Sequence, residues 1–573
     1  MNAPTDTLAE RPAPWPPGGP WPDDRALQGT RRAASLVLLR DAEGGPQVLL
    51  LRRAVRDGDM RSGVWVFPGG VLDAADPTLH ECARGQDAAF SQRMQLPCRG
   101  LDYAIAAVRE CFEEVGLLLA DGPGAALQQA ASVRPRLQDG PAFADWVRQA
   151  GLVLAVDELV YLAHWLTPLG MKPRFDTRFF LARAPAGQEA VADAGEALEL
   201  AWMTPAQALA AGLRMLPVTR ALLQGLTAHA TVDEALAEAR RLTQIERQFP
   251  RLGCDAQGVR PVLPHELPYA EISRLDPEGR GDVWIALTPE RIVTLSPRVQ
   301  RITCGNGSMM TGPGTNTYLI GSPGHDEVAV LDPGPEDAHT EAHLQAVLAA
   351  AAGRRITHIL VTHTHRDHSP AARRLQALTG ARLIGLPAQH PEWQDTGFQP
   401  EVAPLDGQCW RLGEDCTLRA VHTPGHAANH VCWWLEQEAL LFTGDHVMQG
   451  STVVINPPDG DMAAYLASLH WLQSLPLQWL APGHGFLIEA PRREFQRLID
   501  HRLAREAKVL AALGEQCEPV APADLLPQVY GDVPPARHGV AERSLRAHLL
   551  KLQADGRATE VQGRWRVCGA RGS

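Results

Sequence analysis

The chain has 573 residues, which at roughly 100–200 residues per domain allows three or four domains. Its hydrophobic content of 45%, its charged content of 21% and its scattered prolines and glycines exclude disordered, collagenous and coiled-coil proteins. The net charge of −12 argues against nucleic acid bound along the whole chain, although residues 537–573 alone carry eight basic and three acidic side chains, a net +5.

Three features of the sequence indicate the compartment. The longest apolar runs, such as residues 117–120, are far shorter than the ~20 residues that a membrane span needs. Residues 1–24 have neither the cationic start nor the apolar core of a signal peptide. The ten cysteines include no Cys-x-x-Cys pair, so we expect reduced thiols. We therefore expect a cytoplasmic protein without a membrane partner, while the sequence leaves the oligomeric state open.

The sequence pattern predicts a multidomain α/β protein in five segments. We expect a flexible leader, a first α/β domain, a linker, a second α/β domain and a helix–hairpin tail, over residues 1–30, 31–225, 226–290, 291–497 and 498–573. Apolar periodicity in the first domain predicts strands over 34–39 and 48–52 and a helix over 102–115, which Gly116 ends. One helix is predicted within the linker, over 232–243.

From about residue 291 the pattern changes to short β-runs that end in polar, histidine-rich loops. We predict these strands over residues 328–331, 359–362, 383–386, 418–421 and 440–443. Helices are predicted between them, over residues 338–352, 370–379 and 462–474. The sequence contains no internal repeat, so the two α/β domains are expected to have different folds.

The tail has its own pattern. A helix is predicted over 498–513 and a second over 541–552, where leucines recur on one face. A hairpin that turns at Gln562-Gly563 is predicted last, with strands over residues 558–561 and 564–567. A helix followed by a hairpin is typical of the end of a winged-helix domain.

The strongest chemical signal is the run His363-x-His365-x-Asp367-His368, directly after the predicted strand 359–362. Three imidazoles and a carboxylate within six residues suit borderline divalent cations such as zinc. Three more candidate ligands follow in the sequence, each at the end of a predicted strand: His426, Asp445 and His484. This ordered set indicates a metal site rather than unrelated loop residues.

These motifs resemble those of the metallo-β-lactamase fold superfamily, an αββα sandwich with a two-metal site between its sheets. The ligands that the resemblance implies for one ion are His363, His365 and His426. Those implied for the second ion are Asp367, His368 and His484, with Asp445 as the bridge. The implied cofactors are two Zn²⁺ or similar divalent ions. Catalytic roles fall on Asp367 and Asp445, and substrate contacts on Asn316 and His430, while Asp332 also lies in a family motif.

Two divalent ions about 3.5–4 Å apart activate water for hydrolysis. The sequence from about residue 300 onward is most similar to the lactamase-β-2-like subfamily, whose members are endoribonucleases for single-stranded RNA and carry a winged-helix tail. Single-stranded RNA is therefore one candidate partner. The alternative is thioester hydrolysis of the glyoxalase II kind, although that family ends in a purely helical region. The basic tail is expected either to contact phosphates or to pack beside the active site.

A second candidate site lies on the predicted helix 102–115. Glu110, Glu113 and Glu114 are spaced so that they share one helix face, where their mutual repulsion favours a bound Mg²⁺ or Mn²⁺. With Arg109 and Gly116, this run resembles the core of the Nudix box. The resemblance implies metal ligation by the three glutamates, catalysis by Glu113 and Glu114, and a substrate contact from Arg109.

The upstream half of the box departs from the family pattern. Gly70 is followed by Asp76 where the family has Glu, and residues 77–108 intervene before Arg109. An insertion of this kind resembles the coenzyme A diphosphatase type, which implies a small-molecule nucleoside diphosphate derivative as substrate. Two interpretations remain open: a hydrolase with two active sites, or a hydrolase whose Nudix half only binds a ligand.

Overall fold

The computed structural model describes residues 26–54, 62–137, 139–193, 195 and 197–568. Most of the predicted leader lies outside the described residues. The described residues form two compact units. The N-terminal unit comprises the residues up to Leu252 with Val259–Pro264 and Glu278–Gly281, and the C-terminal unit comprises Gly253–Gly258, His265–Pro277 and the residues from Asp282 onward.

The N-terminal unit alternates strands and helices. Its strands are β1 Thr30–Arg40, β2 Gln47–Arg53, β3 Trp65–Val66, β4 Gly69–Val71, β5 Ala120–Asp121, β6 Val153–Leu154, β7 Val160–Leu166, β8 Arg174–Arg183, β9 Ala197–Met203 and β10 Arg247–Gln248. Its helices are α1 Asp87–Arg93, α2 Gly100–Val115, α3 Gly124–Val133, α4 Gly140–Gln149, α5 Pro205–Ala210, α6 Pro217–Leu226 and α7 Val232–Arg241.

The main sheet of this unit has the order β10-β7-β8-β1-β2-β3, with β4 paired to β1 and β9 to β2. Side chains of β1 alternate between the faces, so Leu36 and Leu38 pack in the core with α2, while Val37 and Leu39 pack in the core with α6 and α7. The unit is therefore an α/β/α sandwich. Because α7 supplies buried residues to it, this part of the predicted linker is folded into the N-terminal unit.

The C-terminal unit is built on two sheets. Residues of the hairpin β11 Arg251–Asp255 and β12 Gly258–Val262 are divided between the two units. The further strands are β13 Ile292–Ser296, β14 Val299–Thr303, β15 Asn316–Ile320, β16 Glu327–Leu331, β17 Arg355–Leu360, β18 Arg382–Ile384, β19 Cys409–Arg411, β20 Thr417–His422, β21 Val431–Leu435, β22 Leu440–Gly444, β23 Trp479–Pro482 and β24 Ile488–Glu489. The helices are α8 Tyr269–Leu275, α9 Thr340–Ala351, α10 Ala371–Thr379, α11 Met462–Leu472 and α12 Pro491–Gly514.

The two sheets run β13 to β18 and β19 to β24, each in sequence order. Apolar side chains of both, such as Tyr318, Leu360, Trp433 and Phe442, form one buried core between the sheets. On the outer faces, α9 and α10 pack on the first sheet and α11 and α12 on the second. The architecture is thus the αββα sandwich that the metal motif implied. No helix within the described parts of the chain is long and apolar enough to cross a membrane.

The tail packs α12 with three further elements, α13 Pro522–Val529, α14 His538–Ala554 and the hairpin β25 Ala558–Val561 and β26 Arg564–Val567. The hairpin has the predicted bounds, and Gln562 and Gly563 both have positive φ angles, 52° and 77°, as a two-residue turn requires. Helix α12 begins at Pro491, earlier than predicted, and α13 was not predicted because Pro527 lies inside it.

Candidate metal centres

The candidate ligands of the C-terminal unit lie in four loops, each directly after a strand. His363 to His368 follow β17, His426 follows β20, Asp445 follows β22 and His484 follows β23. The pairs β16–β17 and β22–β23 are parallel, so the loops after β17, β22 and β23 all leave the carboxyl ends of their sheets. The fold therefore brings together residues that are up to 121 positions apart in the chain.

Three histidines form the first ligand set. His365 Nδ1 lies 3.0 Å from His363 Nε2 and 3.1 Å from His426 Nε2. His363 is almost fully buried, whereas 22% of the His365 side chain is exposed. Three ring nitrogens therefore converge on one point that remains open to solvent on one side, which is the arrangement of a catalytic rather than a closed structural site.

The second ligand set combines two imidazoles with two carboxylates. His484 Nε2 lies 3.2 Å from both Asp367 Oδ2 and Asp445 Oδ1, and His368 Nε2 lies 3.4 Å from the same two oxygens. The other oxygen of Asp445, Oδ2, lies 3.9 Å from His426 Nε2 in the first set. Asp445 thus reaches both sets, as a bridging ligand must.

The hydrogen bonding of the buried polar atoms in the second set indicates whether this set suits a cation. His368 Nε2, His484 Nε2 and Asp445 Oδ1 are buried and make no hydrogen bond of good geometry, although the two nitrogens lie 3.4 and 3.2 Å from the carboxylate oxygen. Leaving such atoms unsatisfied costs about 1–3 kcal/mol each, so their convergence needs a compensating ligand. Nitrogen and carboxylate donors suit Zn²⁺ and similar borderline ions. The residues present therefore fit a pair of divalent cations.

The second ring nitrogen of each ligand histidine is fixed by the protein. His363 and His426 use Nδ1 to contact Thr362 Oγ1 at 3.0 Å and the carbonyl oxygen of Val454 at 2.9 Å. His368 Nδ1 and His484 Nδ1 contact the partners Asp332 Oδ2 and the Gly314 carbonyl oxygen, both at 3.0 Å. These contacts determine which nitrogen of each ring faces the centre.

The protonation states of the two sets differ. Burial and the neighbouring imidazoles hold the pKa of His363 well below its usual range, and burial with His365 lowers the pKa of His426 to about 4. In the second set, burial alone would lower the pKa of His484. The neighbouring carboxylates of Asp445 and Asp367 outweigh this effect and raise that pKa to about 10. Without a cation, His363 and His426 are therefore neutral, and the second set is an ion-paired cluster.

The two predicted substrate contacts are both buried. Asn316 donates to the carbonyl oxygens of Pro482 and Gly485, at 3.1 and 2.8 Å, and accepts from Thr303 Oγ1, so its amide holds the loop that carries His484. His430 lies beside the first set, with its ring centroid 5.0 Å from that of His363. Whether either side chain contacts substrate stays a prediction.

Asp459 is a residue near the centre that the sequence did not single out. Its Oδ2 accepts from His365 Nε2 at 2.9 Å although 94 residues separate the two. In the sequence Pro457-Pro458-Asp459-Gly460 is typical of a turn, so no local signal marks Asp459 as a partner of a metal ligand.

In the N-terminal unit, Asp76 and Arg109 form a buried ion pair. Arg109 Nε donates to Asp76 Oδ1 at 2.9 Å, and the same guanidinium donates to Glu110 and Glu113 at 2.8 and 3.1 Å. Despite the long stretch 77–108 between them, the two halves of the motif are therefore in contact. Although aspartate is shorter than the family's glutamate, it still reaches the arginine.

Glu110 and Glu114 of α2 lie beside β4, and Glu113 contacts Arg109. Gly69 N donates to Glu114 Oε2 at 2.8 Å, and a Cβ atom on Gly70 would lie 2.3 Å from Glu110 Oε2, so a side chain there would displace the Glu110 carboxylate. Glu113 Oε1 is buried without a hydrogen-bond partner. An unpaired carboxylate oxygen beside two further carboxylates fits a hard cation such as Mg²⁺.

A cavity of about 1140 Å³ adjoins these glutamates. Its lining also includes the aromatic side chains of Phe67, Trp165 and Phe175 and the basic residues Arg31 and Lys172. The cavity thus combines apolar, cationic and carboxylate surfaces, and it is large enough for a nucleotide-sized ligand.

Comparison with known proteins identifies the C-terminal unit. The metallo-beta-lactamase superfamily model matches residues 310–484, which include all seven candidate ligands. A protein from Aspergillus fumigatus named atrochrysone carboxyl ACP thioesterase is 35% identical over 254 residues, 42% of this chain and 76% of that protein. The chain belongs to the metallo-β-lactamase superfamily.

Other models match on both sides of the metallo-β-lactamase domain. The NUDIX domain model matches residues 29–84, the NUDT19 Nudix domain model matches 86–214, and the beta-lactamase associated winged helix domain model matches 521–565. The two Nudix matches meet at residues 84–86, within the long stretch 77–108 that separates the two halves of the Nudix box. The protein is thus a metallo-β-lactamase-fold hydrolase fused to a Nudix domain and a winged helix, as the sequence motifs implied.

Two further relatives were found. An atrochrysone carboxyl ACP thioesterase from Aspergillus chevalieri is 34% identical over 296 residues, 48% of this chain and 89% of that protein. A beta-lactamase-like protein 2 homolog from Caenorhabditis elegans is 31% identical over 277 residues, 47% of this chain and 88% of that protein.

Proposed function

We propose that the metallo-β-lactamase domain is a binuclear metal-dependent hydrolase of acyl thioesters. The observation that carries the binuclear centre is Asp445, whose two oxygens face the two ligand sets at 3.2 and 3.9 Å from ligand nitrogens. A divalent pair bound there would supply an activated water and would polarise the attacked carbonyl. Hydrolysis then adds water across the C–S bond and gives a carboxylic acid and a thiol.

The chain's own residues provide the remaining chemistry. The neutral imidazoles of His363 and His426 offer lone pairs without first losing protons, because their pKa values are low. Asp367 is the more exposed carboxylate of the second set, with 24% of its side chain accessible, so it is available to take a proton from the attacking water. Asp445, at 11%, is better placed to hold the two sets together.

The thioester class is favoured by two observations. Relatives that are 34% and 35% identical to this chain carry the name thioesterase. The basic tail, which suggested RNA, is partly neutralised within the fold, because Lys551 and Arg557 pair with Glu506 at 3.0 and 3.1 Å and Arg543 lies over the ring of Trp393.

Single-stranded RNA is the second candidate substrate. The winged-helix tail favours it, because Arg546 and Arg566 remain exposed there and are able to contact phosphates. Phosphodiester cleavage would use the same ligand sets. The two candidates therefore differ in how the substrate binds rather than in the metal chemistry.

For the N-terminal unit we propose a Mg²⁺- or Mn²⁺-dependent diphosphatase that acts on a nucleoside diphosphate derivative such as coenzyme A. The intact Asp76–Arg109 pair supports catalysis over a role in binding alone, because Arg109 also contacts Glu110 and Glu113. The aromatic lining of the cavity suits stacking of a base. Phe175 and Trp165 are the residues that we expect there.

One screen tests both proposals. The full chain, loaded with Zn²⁺ or Mg²⁺, is assayed with acyl-coenzyme A, acyl-glutathione, single-stranded RNA and coenzyme A, beside Asp445→Asn and Glu113→Gln. We expect thioester cleavage that Asp445→Asn abolishes and diphosphate cleavage that Glu113→Gln abolishes. Cleavage of RNA but not of thioesters would reverse the order of the two candidates, and coenzyme A binding without turnover would leave the Nudix domain as a binding module.

A further inference from the structure

Asp459 is a buried carboxylate that joins a metal ligand to a distant loop. Only 3% of the residue is exposed, and its Oδ2 accepts from His365 Nε2 at 2.9 Å. Its Oδ1 accepts from the backbone nitrogen of Ala428 at 2.8 Å and from Gln394 Nε2 at 2.7 Å. Both oxygens are therefore held, and one of them is directed at an imidazole of the first ligand set.

The orientation of His365 explains why this contact matters. His365 presents Nδ1 to the other two histidines of its set, whereas His363 and His426 present Nε2. For Nδ1 to carry the free lone pair, the proton must be on Nε2, and a carboxylate beside Nε2 stabilises that tautomer. The nitrogen that faces away from the centre is Nδ1 in His363 and His426, and it contacts a hydroxyl and a backbone carbonyl respectively. Within the first set, His365 is therefore the histidine whose outer nitrogen contacts a carboxylate.

Gln394 in turn fixes Asp459. Its Oε1 accepts from the backbone nitrogens of Gln389 and His390 at 2.6 and 3.1 Å, which leaves its amide nitrogen as the donor to Asp459. The same nitrogen also lies 3.1 Å from Asn429 Oδ1. Gln394 is 2% exposed. The loop that contains Gln394 therefore positions Asp459 through a fully hydrogen-bonded and solvent-excluded amide.

We propose that Asp459 is a positioning residue, held by Gln394, that fixes His365 in the tautomer and ring orientation needed to bind the first cation. This role rests on the proposed binuclear function of the same centre. It goes beyond that function because it assigns the first ion a carboxylate outside its ligand set, contributed by a loop after β22.

The test measures metal binding rather than turnover. The metal-free full chain is titrated with Zn²⁺ against a chromophoric chelator, and with Co²⁺ by visible absorption. For Asp459→Asn we expect one of the two ions to bind about 10–100-fold more weakly, with an altered Co²⁺ spectrum, while the other ion binds as in the wild type. Gln394→Leu should weaken the same ion by a smaller factor.

Asp461→Asn is the matched control, because Asp461 caps α11 at the exposed surface two residues away and asparagine caps equally well. It should leave both affinities unchanged. If the wild type binds two ions and Asp459→Asn binds both within twofold of it, the positioning role is overturned. If the wild type binds fewer than two ions, the binuclear function itself fails. Should Asp459→Asn not fold, the Gln394→Leu titration decides by the same criterion.

Discussion

Asp445 is the residue on which both ligand sets depend. One oxygen lies 3.2 Å from His484 Nε2 and the other 3.9 Å from His426 Nε2. In the absence of a metal ion, His484 and His368 hold the pKa of Asp445 well below its usual range despite its burial, so Asp445 is ionised at any physiological pH.

We predict that Asp445→Ala removes hydrolysis by the metallo-β-lactamase domain and binding of the second ion together. Removing the carboxylate leaves Asp367 as the one carboxylate beside the Nε2 atoms of His484 and His368, and it removes the group that reaches both ligand sets. Elemental analysis and single-turnover assays measure both effects. Asp415→Ala, an exposed aspartate of the same domain, serves as the control. Full activity of Asp445→Ala with one ion per chain would contradict the shared role.

The raised pKa of Glu113 makes the stability and the metal affinity of the Nudix domain depend on pH. Burial raises the pKa of Glu113 from 4.5 to about 8, against the attraction of Arg109. Because the folded pKa is above the unfolded one, the stability that Glu113 contributes is present below about pH 4.5 and is lost as the pH rises through about 8. A cation needs the ionised form and therefore competes with the proton.

We accordingly expect Mg²⁺ affinity to rise with pH up to about 8 and to level off above it. Calorimetric titration between pH 6 and 9 measures this rise. Glu113→Gln should bind Mg²⁺ weakly at every pH, whereas Glu238→Gln on the exposed face of α7 should follow the wild type. A wild-type affinity that does not change over this range would argue against Glu113 as a ligand.

At the scale of elements, α8 shows that the predicted linker contains part of the C-terminal core. Glu271 on α8 forms a bidentate pair with Arg301 on β14, at 2.6 and 2.9 Å, and accepts from the backbone nitrogen of Leu487 at 3.0 Å. Both side chains of the pair are at most 1% exposed. The helix is thereby attached to the first sheet and to the segment before β24.

We predict that Glu271→Gln lowers the free energy of unfolding of the C-terminal unit by about 3–5 kcal/mol, because it leaves the Arg301 guanidinium buried without its counter-charge. Urea denaturation followed by tryptophan fluorescence measures the change. The exposed pair Arg355–Glu327 is the comparison, and Glu327→Gln should cost at most about 1 kcal/mol. Equal effects of the two substitutions would mean that the burial of Glu271 is unimportant.

Elements with strong local signals were predicted well. Helix α2 ends at Val115 and is followed by Gly116 with a φ of 76°, and the β25–β26 hairpin has the expected turn, because glycine marks both positions locally. Helix α13 was missed because Pro527 inside it disfavours a helix, yet Leu525, Leu526 and Val529 pack in the winged-helix core and stabilise it.

At the scale of the whole molecule, the two proposed active sites belong to different units with separate cores. We therefore predict that a substitution in one site abolishes the activity of that site and leaves the other activity intact. Asp445→Ala should leave diphosphatase activity within about twofold of the wild type, and Glu113→Gln should leave thioesterase activity within the same range. Steady-state assays of both activities on each variant measure this. Loss of both activities in either single variant would show that the sites are coupled.

The sequence by itself determined the residues that we propose carry the chemistry. The run from His363 to His368, the three further ligands and the glutamates of α2 are recognisable because each group occupies a few adjacent positions or the end of a strand. Periodicity also gave the α/β class, since the apolar pattern of a strand or helix is a local property.

Only the tertiary structure decided which distant residues meet. It showed that Asp76 still reaches Arg109 across the insertion, that Asp459 holds His365, and that α8 packs with β14. No short stretch of sequence encodes such contacts, because they depend on how strands and loops separated by 30 to 94 residues pack against one another. The local sequence pattern identifies the candidate ligands, and the packing of the chain determines how they are held.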